Sequence, residues 1–174
     1  GFTNCTNMEY LNIPKMISIN TNTFSGCSNL SYVSLPSCMY IYNNAFTGCS
    51  MLASIELPLC LSISNYAFNN CPSLSIVSVG METYTVPKLG TPNFSNVVSI
   101  YVPSTLYEQY IVASNWSNYA DRIVSVEVPG DPLLTFSDGL LSGRTTYLLS
   151  DYVSVLSINK TDIISVYLSN CDYF

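Results

Sequence analysis

Apolar and polar positions in the first half of the chain follow a single 22-residue pattern. Phenylalanine recurs at positions 2, 24, 46 and 68, and a cysteine follows three residues after each of them. Behind each cysteine the apolar positions keep their spacing, as Leu52, Ile55 and Leu57 do in the third copy. A fixed period of this length predicts a solenoid, because each coil buries its apolar face only by stacking on its neighbours.

Each regular coil is predicted to contain two short extended segments. Val33 and Leu35 alternate with polar neighbours, which is typical of a half-buried strand. Pro36 ends this strand, since proline has no amide hydrogen to donate to a ladder. A second extended segment follows, in which Met39 and Ile41 are predicted to point inward.

The 22-residue pattern becomes irregular after residue 79. Between residues 80 and 96 the phenylalanine and cysteine columns are predicted to be interrupted, although Ile100 and Val102 restore the strand spacing of a degenerate fifth coil. Thr105 and Glu108 then have the spacing of a capping box, and apolar residues follow at helical intervals. We therefore predict one helix from about residue 105 to 119, inserted before the next coil.

Beyond the predicted helix, Ile123, Val126 and Val128 repeat the strand template, which places Val126 beside Ile100 in a degenerate sixth coil. Residues 1–129 thus form the predicted repeat domain. Apolar runs on both sides of Asp138-Gly139 predict a hairpin in a connecting module at 130–161, with a short helix near 151–156. Residues 162–174 are predicted to begin a further coil.

Charge and residue types exclude several function classes. Eleven acidic side chains against five basic ones give a net charge of -6, which removes the electrostatic basis for binding nucleic acid or anionic lipid. No apolar run reaches the ~20 residues needed to span a bilayer, so we expect no membrane insertion. Histidine is absent, which closes the Ser-His and Cys-His routes to catalysis. We expect no enzyme activity, no catalytic residues and no cofactor.

The cysteines fall into two repeat columns, at positions 5, 27, 49 and 71 and at positions 38, 60 and 171. The interpretation we favour is that they are reduced and fill a tight interior as small apolar side chains. Coils ~4.8 Å apart also bring neighbouring cysteines within bonding range, so occasional disulfides stay open as an alternative. A metal site is not expected, since the chain has neither histidine nor a C-x-x-C pair.

Side chains that point outward from the first strands form two columns, and tyrosine is the residue type in them that suggests binding. The alternative is that these tyrosines are ordinary strand formers on a solvated sheet. A second patch of the same kind is formed by Tyr40 and Tyr42, whereas Trp116 is expected to anchor the core. The columns are Tyr10, Tyr32, Ser54, Ile76, Ser99, Ser125 and Asn12, Ser34, Glu56, Ser78, Tyr101, Glu127. From these we select Tyr10, Tyr32, Glu56, Tyr101 and Glu127 as candidate ligand-binding residues.

The repeat itself resembles a known family. The third copy reads Asn-Ala-Phe46-x-x-Cys49-x-x-Leu52-x-x-Ile55-x-Leu57-Pro58, and with its copies it resembles the BspA-type leucine-rich repeat of surface proteins from gut and oral bacteria and some protists. The segment from residue 102 to 126, with its predicted helix, is similar to a closing segment common in that family. The resemblance covers residues 1–128 well and 162–174 weakly.

The resemblance implies a mainly β leucine-rich-repeat solenoid with short parallel strands and 22-residue coils. It also implies noncatalytic adhesion or recognition at a cell surface, or by a secreted protein, with a host or bacterial surface protein or a glycan as partner. We expect a monomer, and since Gly1 falls inside a repeat we expect the chain to be part of a longer protein. The alternative function is a structural spacer or phage-fibre segment without a ligand of its own.

Overall fold

The computed structural model describes residues 1–127, together with three later strands at Thr135–Ser137, Leu140–Gly143 and Ser165–Leu168. Residues 1–126 form one compact unit, and a second unit begins at Glu127. The strands of the first unit are β1 (Tyr10–Asn12), β2 (Ser18–Ile19), β3 (Tyr32–Ser34), β4 (Tyr40–Ile41), β5 (Ser54–Leu57), β6 (Ser62–Ile63), β7 (Ile76–Val79), β8 (Lys88–Leu89), β9 (Ser99–Pro103) and β10 (Ile123–Val126).

Two parallel ladders run through the first unit, one from each extended segment of the coils. The second strands β2, β4, β6 and β8 pair in chain order, and so do the first strands β5, β7, β9 and β10, whereas β1 and β3 form a separate pair. Partners in the regular coils lie one repeat apart, as Leu11 and Val33 do. This pairing confirms the solenoid. Ile41 is buried as predicted, but Met39 is only half-buried, and Cys38 takes the inward position beside the strand.

The phenylalanines form a single stacked file through the core. Successive ring centroids are 5.5 Å apart for Phe2 and Phe24, 5.4 Å for Phe24 and Phe46, and 5.4 Å for Phe46 and Phe68. The file continues to Phe94 at 5.9 Å from Phe68. The prediction that the phenylalanine column is interrupted in the fifth coil is therefore wrong: Phe94 occupies the column, but after 26 residues instead of 22.

Asn93 compensates for the irregular length of the fifth coil. In the regular coils the phenylalanine amide donates to the carbonyl of the residue before the next phenylalanine, as from Phe24 to Ala45 at 2.8 Å. The Phe68 amide donates instead to Asn93 Oδ1 at 3.1 Å. Asn93 is buried, and its Nδ2 donates to the Ser64 carbonyl at 3.0 Å and to a second carbonyl in its own loop. The side chain thus replaces a backbone link between coils.

The prediction of one continuous helix over residues 105–119 is wrong. A 3-10 helix at Ser104–Leu106 leads into a single-turn α-helix, α1 (Tyr107–Tyr110), and a second 3-10 helix lies at Trp116–Arg122. Asn115 interrupts the segment with a φ of 67°. The N-caps of the first two helices are Pro103 and Leu106, which make no side-chain cap hydrogen bond, so Thr105 is not the N-cap that the spacing predicts.

Packing against the coils explains why this segment bends. Trp116 is fully buried, as expected for a core anchor, and its Nε1 donates to the Pro87 carbonyl at 2.7 Å. The Tyr110 hydroxyl donates to the Val79 carbonyl at 3.3 Å. Gly80 makes room for it, since a Cβ there would lie 2.5 Å from the Tyr110 hydroxyl oxygen, and its φ of 69° also favours glycine. The glycine that replaces the strand-ending proline is therefore a packing requirement.

The second unit is described only through its strands. β11 (Thr135–Ser137) pairs antiparallel with β12 (Leu140–Gly143), and β13 (Ser165–Leu168) pairs parallel with β12. The predicted turn at Asp138-Gly139 and the predicted helix near 151–156 lie outside the described residues. The assignment of residues 162–174 as the start of a further coil stays a prediction.

Candidate functional site

Two tyrosines stand out on the surface formed by the first strands. Tyr10 and Tyr32 are register partners in β1 and β3, and their rings stack at 4.8 Å between centroids with an interplanar angle of 6°. They remain 61% and 51% exposed. In-register parallel strands place identical side chains one above the other, so the repeat itself produces this stack.

The outward column that contains Tyr32 continues with residues that are not aromatic. Ser54 is exposed and small, and Ile76 beyond it is an exposed apolar side chain. The neighbouring column contains Glu56, whose register partner is Ser78, and Ser78 in turn pairs with Tyr101. Glu56 is exposed and Tyr101 is half-buried. The structure therefore brings Tyr10 and Tyr32 together in one column and Glu56 and Tyr101 into the other.

Glu127 does not belong to either column, which corrects the predicted register of the sixth coil. β10 pairs with β9 so that Ile123 lies beside Ile100 and Val124 beside Tyr101. The predicted alignment had placed Val126 beside Ile100, and an offset of three residues exchanges inward and outward positions because side chains alternate along a strand. The observed step from Ile100 to Ile123 matches the step from Val77 to Ile100 one coil earlier.

The first-strand ladder is open between the second and third coils. Within residues 1–127, no backbone hydrogen bond joins β3 to β5, although the same coils are bonded before these strands by Met51 to Ser28 and after them by β4 and β6. A groove of about 190 Å³ lies over the opening. Its walls are formed by Ser31, Tyr32, Val33, Ser34, Leu35, Pro36, Ser54, Ile55, Glu56 and Pro58.

The groove combines two predicted residues with several that sequence reasoning missed. Tyr32 and Glu56 were candidates, whereas Ser34, Ser54 and Pro58 were not. The periodic pattern could have indicated Ser54, since it is the position where the tyrosines of the column stop. The open ladder itself has no sequence signal, because Val33 and Ile55 keep the same spacing as in the paired coils.

The described cysteines are free and serve as packing and hydrogen-bonding groups. In the first column the thiols of Cys27, Cys49 and Cys71 donate to the phenylalanine carbonyl one coil back, with Cys27 to Phe2 at 3.0 Å and Cys49 to Phe24 at 3.3 Å. Burial raises the pKa of the Cys71 thiol to about 11 and that of Cys60 to about 12. A thiol held in its neutral form is a poor nucleophile, so Cys60 and Cys71 are packing groups and not nucleophiles at neutral pH.

The part of the chain that the structure describes contains neither a metal-binding cluster nor a membrane-spanning helix. There, no group of three or more Cys, Asp or Glu side chains is arranged to hold a metal ion. No helix in the same part has the length and apolar character required to cross a membrane. The groove at β3 and β5, together with Tyr10 and Tyr32 beside it, is the candidate site, because two of the predicted binding residues, Tyr32 and Glu56, form part of its walls.

Comparison with known families agrees with this architecture. The model of the BspA type leucine-rich repeat region matches residues 1–115 in six copies. A search of curated proteins finds no match. Proteins with this repeat are typically noncatalytic, surface-associated or recognition modules. With two thirds of its length matched and its coils stacked in parallel ladders, the chain belongs to the BspA-type leucine-rich repeat family.

Proposed function

We propose that the chain is a noncatalytic adhesion or recognition module that binds a surface protein or glycan through the face formed by the first strands. The observation that carries the proposal is the stacked and exposed pair of Tyr10 and Tyr32. Large aromatic rings give contact area at low entropic cost, since only two side-chain torsions are fixed on binding. A position at a cell surface or in a secreted protein is part of the same proposal.

The surroundings of the tyrosine pair support contact with a polar partner. Ser34, Ser54 and Glu56 lie beside Tyr32 around one groove, so hydroxyl and carboxylate groups flank the aromatic surface. Binding interfaces commonly combine aromatic anchors with a polar rim in this way. The net charge of -6 favours a neutral or basic partner over an acidic one.

The test is a glycan and matrix-protein array probed with the intact chain and with Tyr10→Ala/Tyr32→Ala. We expect the intact chain to bind at least one target and the double variant to lose that signal by at least roughly tenfold, the usual effect of removing a hot-spot aromatic. Both proteins are compared at equal concentration after circular dichroism has established equal folding.

A matched control is Tyr40→Ala/Tyr42→Ala, which removes two exposed tyrosines from the second-strand region. Retained binding in this variant assigns the contact to the first-strand face. Loss of binding in the control and not in Tyr10→Ala/Tyr32→Ala would move the site to the second strands. No binding by the intact chain to any target would reject the recognition function and favour a structural spacer.

A further inference from the structure

The tyrosine column ends at a vacant position, which is the space above Ser54 in the third coil, where the next tyrosine ring of the column would lie. One face of the Tyr32 ring is covered by Tyr10, and the opposite face looks toward the third coil, where the column contains only Ser54. Ile76 follows one coil later as an exposed apolar side chain. Ile76 therefore stands two coils beyond Tyr32 in the column, with Ser54 between them.

A single ring fits this interval. A ring stacked on Tyr32 lies ~3.5–4 Å from its carbon atoms, so it occupies the space over Ser54 on the side of the column that leads to Ile76. The groove at this place has a volume of about 190 Å³, which is below the ~300 Å³ at which pockets for drug-sized ligands begin. A further strand does not fit, because Cα atoms of β3 and β5 approach within 8 Å and an inserted strand needs roughly 9.6 Å between its neighbours.

The floor of the groove contains unused backbone hydrogen-bonding groups. Ala53 and Leu57 accept from Ile76 and Gly80, on the β7 side of β5. Peptide groups along a strand alternate between its two sides, so those of Ser54 and Glu56 face β3, to which no hydrogen bond is made within residues 1–127. A bound group that covers them without bonding to them costs ~1–3 kcal/mol for each group left unsatisfied.

The need to provide hydrogen-bond partners for these peptide groups favours a sugar ring over an aromatic side chain. The hydroxyl groups of a pyranose bond to the peptide groups, to the Ser34 and Ser54 hydroxyls and to the Glu56 carboxylate, while its C–H groups pack on the Tyr32 face. A phenylalanine side chain from a partner protein stacks on Tyr32 as well, but the side chain itself offers no hydrogen-bonding atom to the polar groups of the groove. The carboxylate of Glu56 and the net charge of -6 act against an acidic sugar.

We propose that the groove between β3 and β5 binds one neutral hexopyranose residue of a glycan, stacked on Tyr32 over Ser54 in the place of the missing third ring of the column. The proposal rests on the recognition function proposed above and specifies its ligand class and position. Glu56 is the residue that orients the sugar through its hydroxyl groups.

The decisive variant fills the vacant position from the protein side. Ser54→Tyr places a ring on Tyr32 at the column spacing, so we expect the fold to be retained and sugar binding to be lost. Ser99→Tyr is the matched control, since it adds the same side chain to the same column two coils away from Ser54. Glu56→Gln keeps the size of the side chain and removes its charge, and we expect roughly tenfold weaker binding.

Binding is measured by saturation-transfer NMR with neutral methyl hexopyranosides, an anionic sialoside and N-acetyl-phenylalanine amide, each at the same concentration. We expect signal from at least one neutral hexopyranoside with the intact chain and with Ser99→Tyr, and none with Ser54→Tyr. Retained sugar binding by Ser54→Tyr, or preference for the sialoside or the phenylalanine amide, would overturn the proposal. Binding of an array target that Tyr10→Ala/Tyr32→Ala loses and Ser54→Tyr keeps would leave the recognition function standing and reject the sugar slot.

Discussion

Substitution of one ring in the middle of the phenylalanine file is the sharpest test of the fold. Phe46 is fully buried and stacks on Phe24 and Phe68, each at 5.4 Å between ring centroids. Phe46→Ala removes both contacts and leaves a cavity between coils two and four. Since the coils stabilise each other only through such nearest-neighbour contacts, the loss acts directly on the coupling between the two halves of the solenoid.

The expected magnitude follows from the burial of the ring. A fully buried phenylalanine replaced by alanine costs ~3–5 kcal/mol, which includes the transfer of the ring and the residual cavity. Two stacked neighbours place Phe46 toward the upper end of this range, since each aromatic pair contributes ~0.5–1.5 kcal/mol beyond burial. A typical domain has only ~5–15 kcal/mol of total stability, so Phe46→Ala brings the chain close to unfolding.

Urea denaturation is followed by circular dichroism and by the fluorescence of Trp116, the single tryptophan, which is fully buried. Phe2→Ala is the matched control, because Phe2 belongs to the same file but is 52% exposed and stacks on Phe24 alone. We expect Phe2→Ala to cost less than ~1.5 kcal/mol. Equal losses in the two variants, or a loss below ~1 kcal/mol for Phe46→Ala, would refute the reasoning that the file holds the coils together.

Three further predictions address the irregular coil and the thiols. Asn93→Leu removes the side-chain links from Asn93 to Phe68 and Ser64 and is expected to cost ~2–4 kcal/mol in urea denaturation, whereas a loss below ~0.5 kcal/mol would contradict the bridging role. Gly80→Ala brings a Cβ against the Tyr110 hydroxyl group and is expected to lower the free energy of unfolding by ~1–3 kcal/mol. Adding Tyr110→Phe, which removes that hydroxyl group, should recover part of the loss. The raised thiol pKa values of Cys60 and Cys71 predict that their contribution to the free energy of unfolding is constant well below pH 9 and falls by up to ~1.4 kcal/mol per pH unit for each thiol as the pH rises toward 11–12, because only the unfolded chain loses these protons. Alkaline denaturation of Cys60→Ala should show a shallower fall, and an unchanged slope would contradict this origin.

The regular coils are the part of the molecule that the sequence predicts well. Phe24, Phe46 and Phe68 have identical neighbours at identical distances along the chain, so a single stacking solution satisfies all copies at once. The same argument predicts the cysteine column as a packed interior. It fails where the repeat length changes, since Phe94 continues the file after 26 residues and no local pattern indicates that Asn93 bridges the gap.

Only the part of the candidate site that depends on the repeat period follows from the sequence. Tyr10 and Tyr32 stack because they occupy the same register position, and this follows from the period alone. Glu127 was misplaced because its strand template fits at two offsets three residues apart, and only the paired strands decide between them. The segment around Trp116 was predicted as a long helix, but the buried indole and its hydrogen bond to Pro87 require a bend.

By itself the sequence determined the family, the period of the regular coils, their phenylalanine file and the two outward columns as far as the fifth coil, since these depend on residues that repeat in register. Only the tertiary structure decided where the first-strand ladder opens, and with it the groove beside Tyr32 and Glu56. The opening depends on how closely two whole coils approach each other at β3 and β5. The distance between the two coils depends on packing and hydrogen bonding along their entire length, and no single residue pattern encodes it.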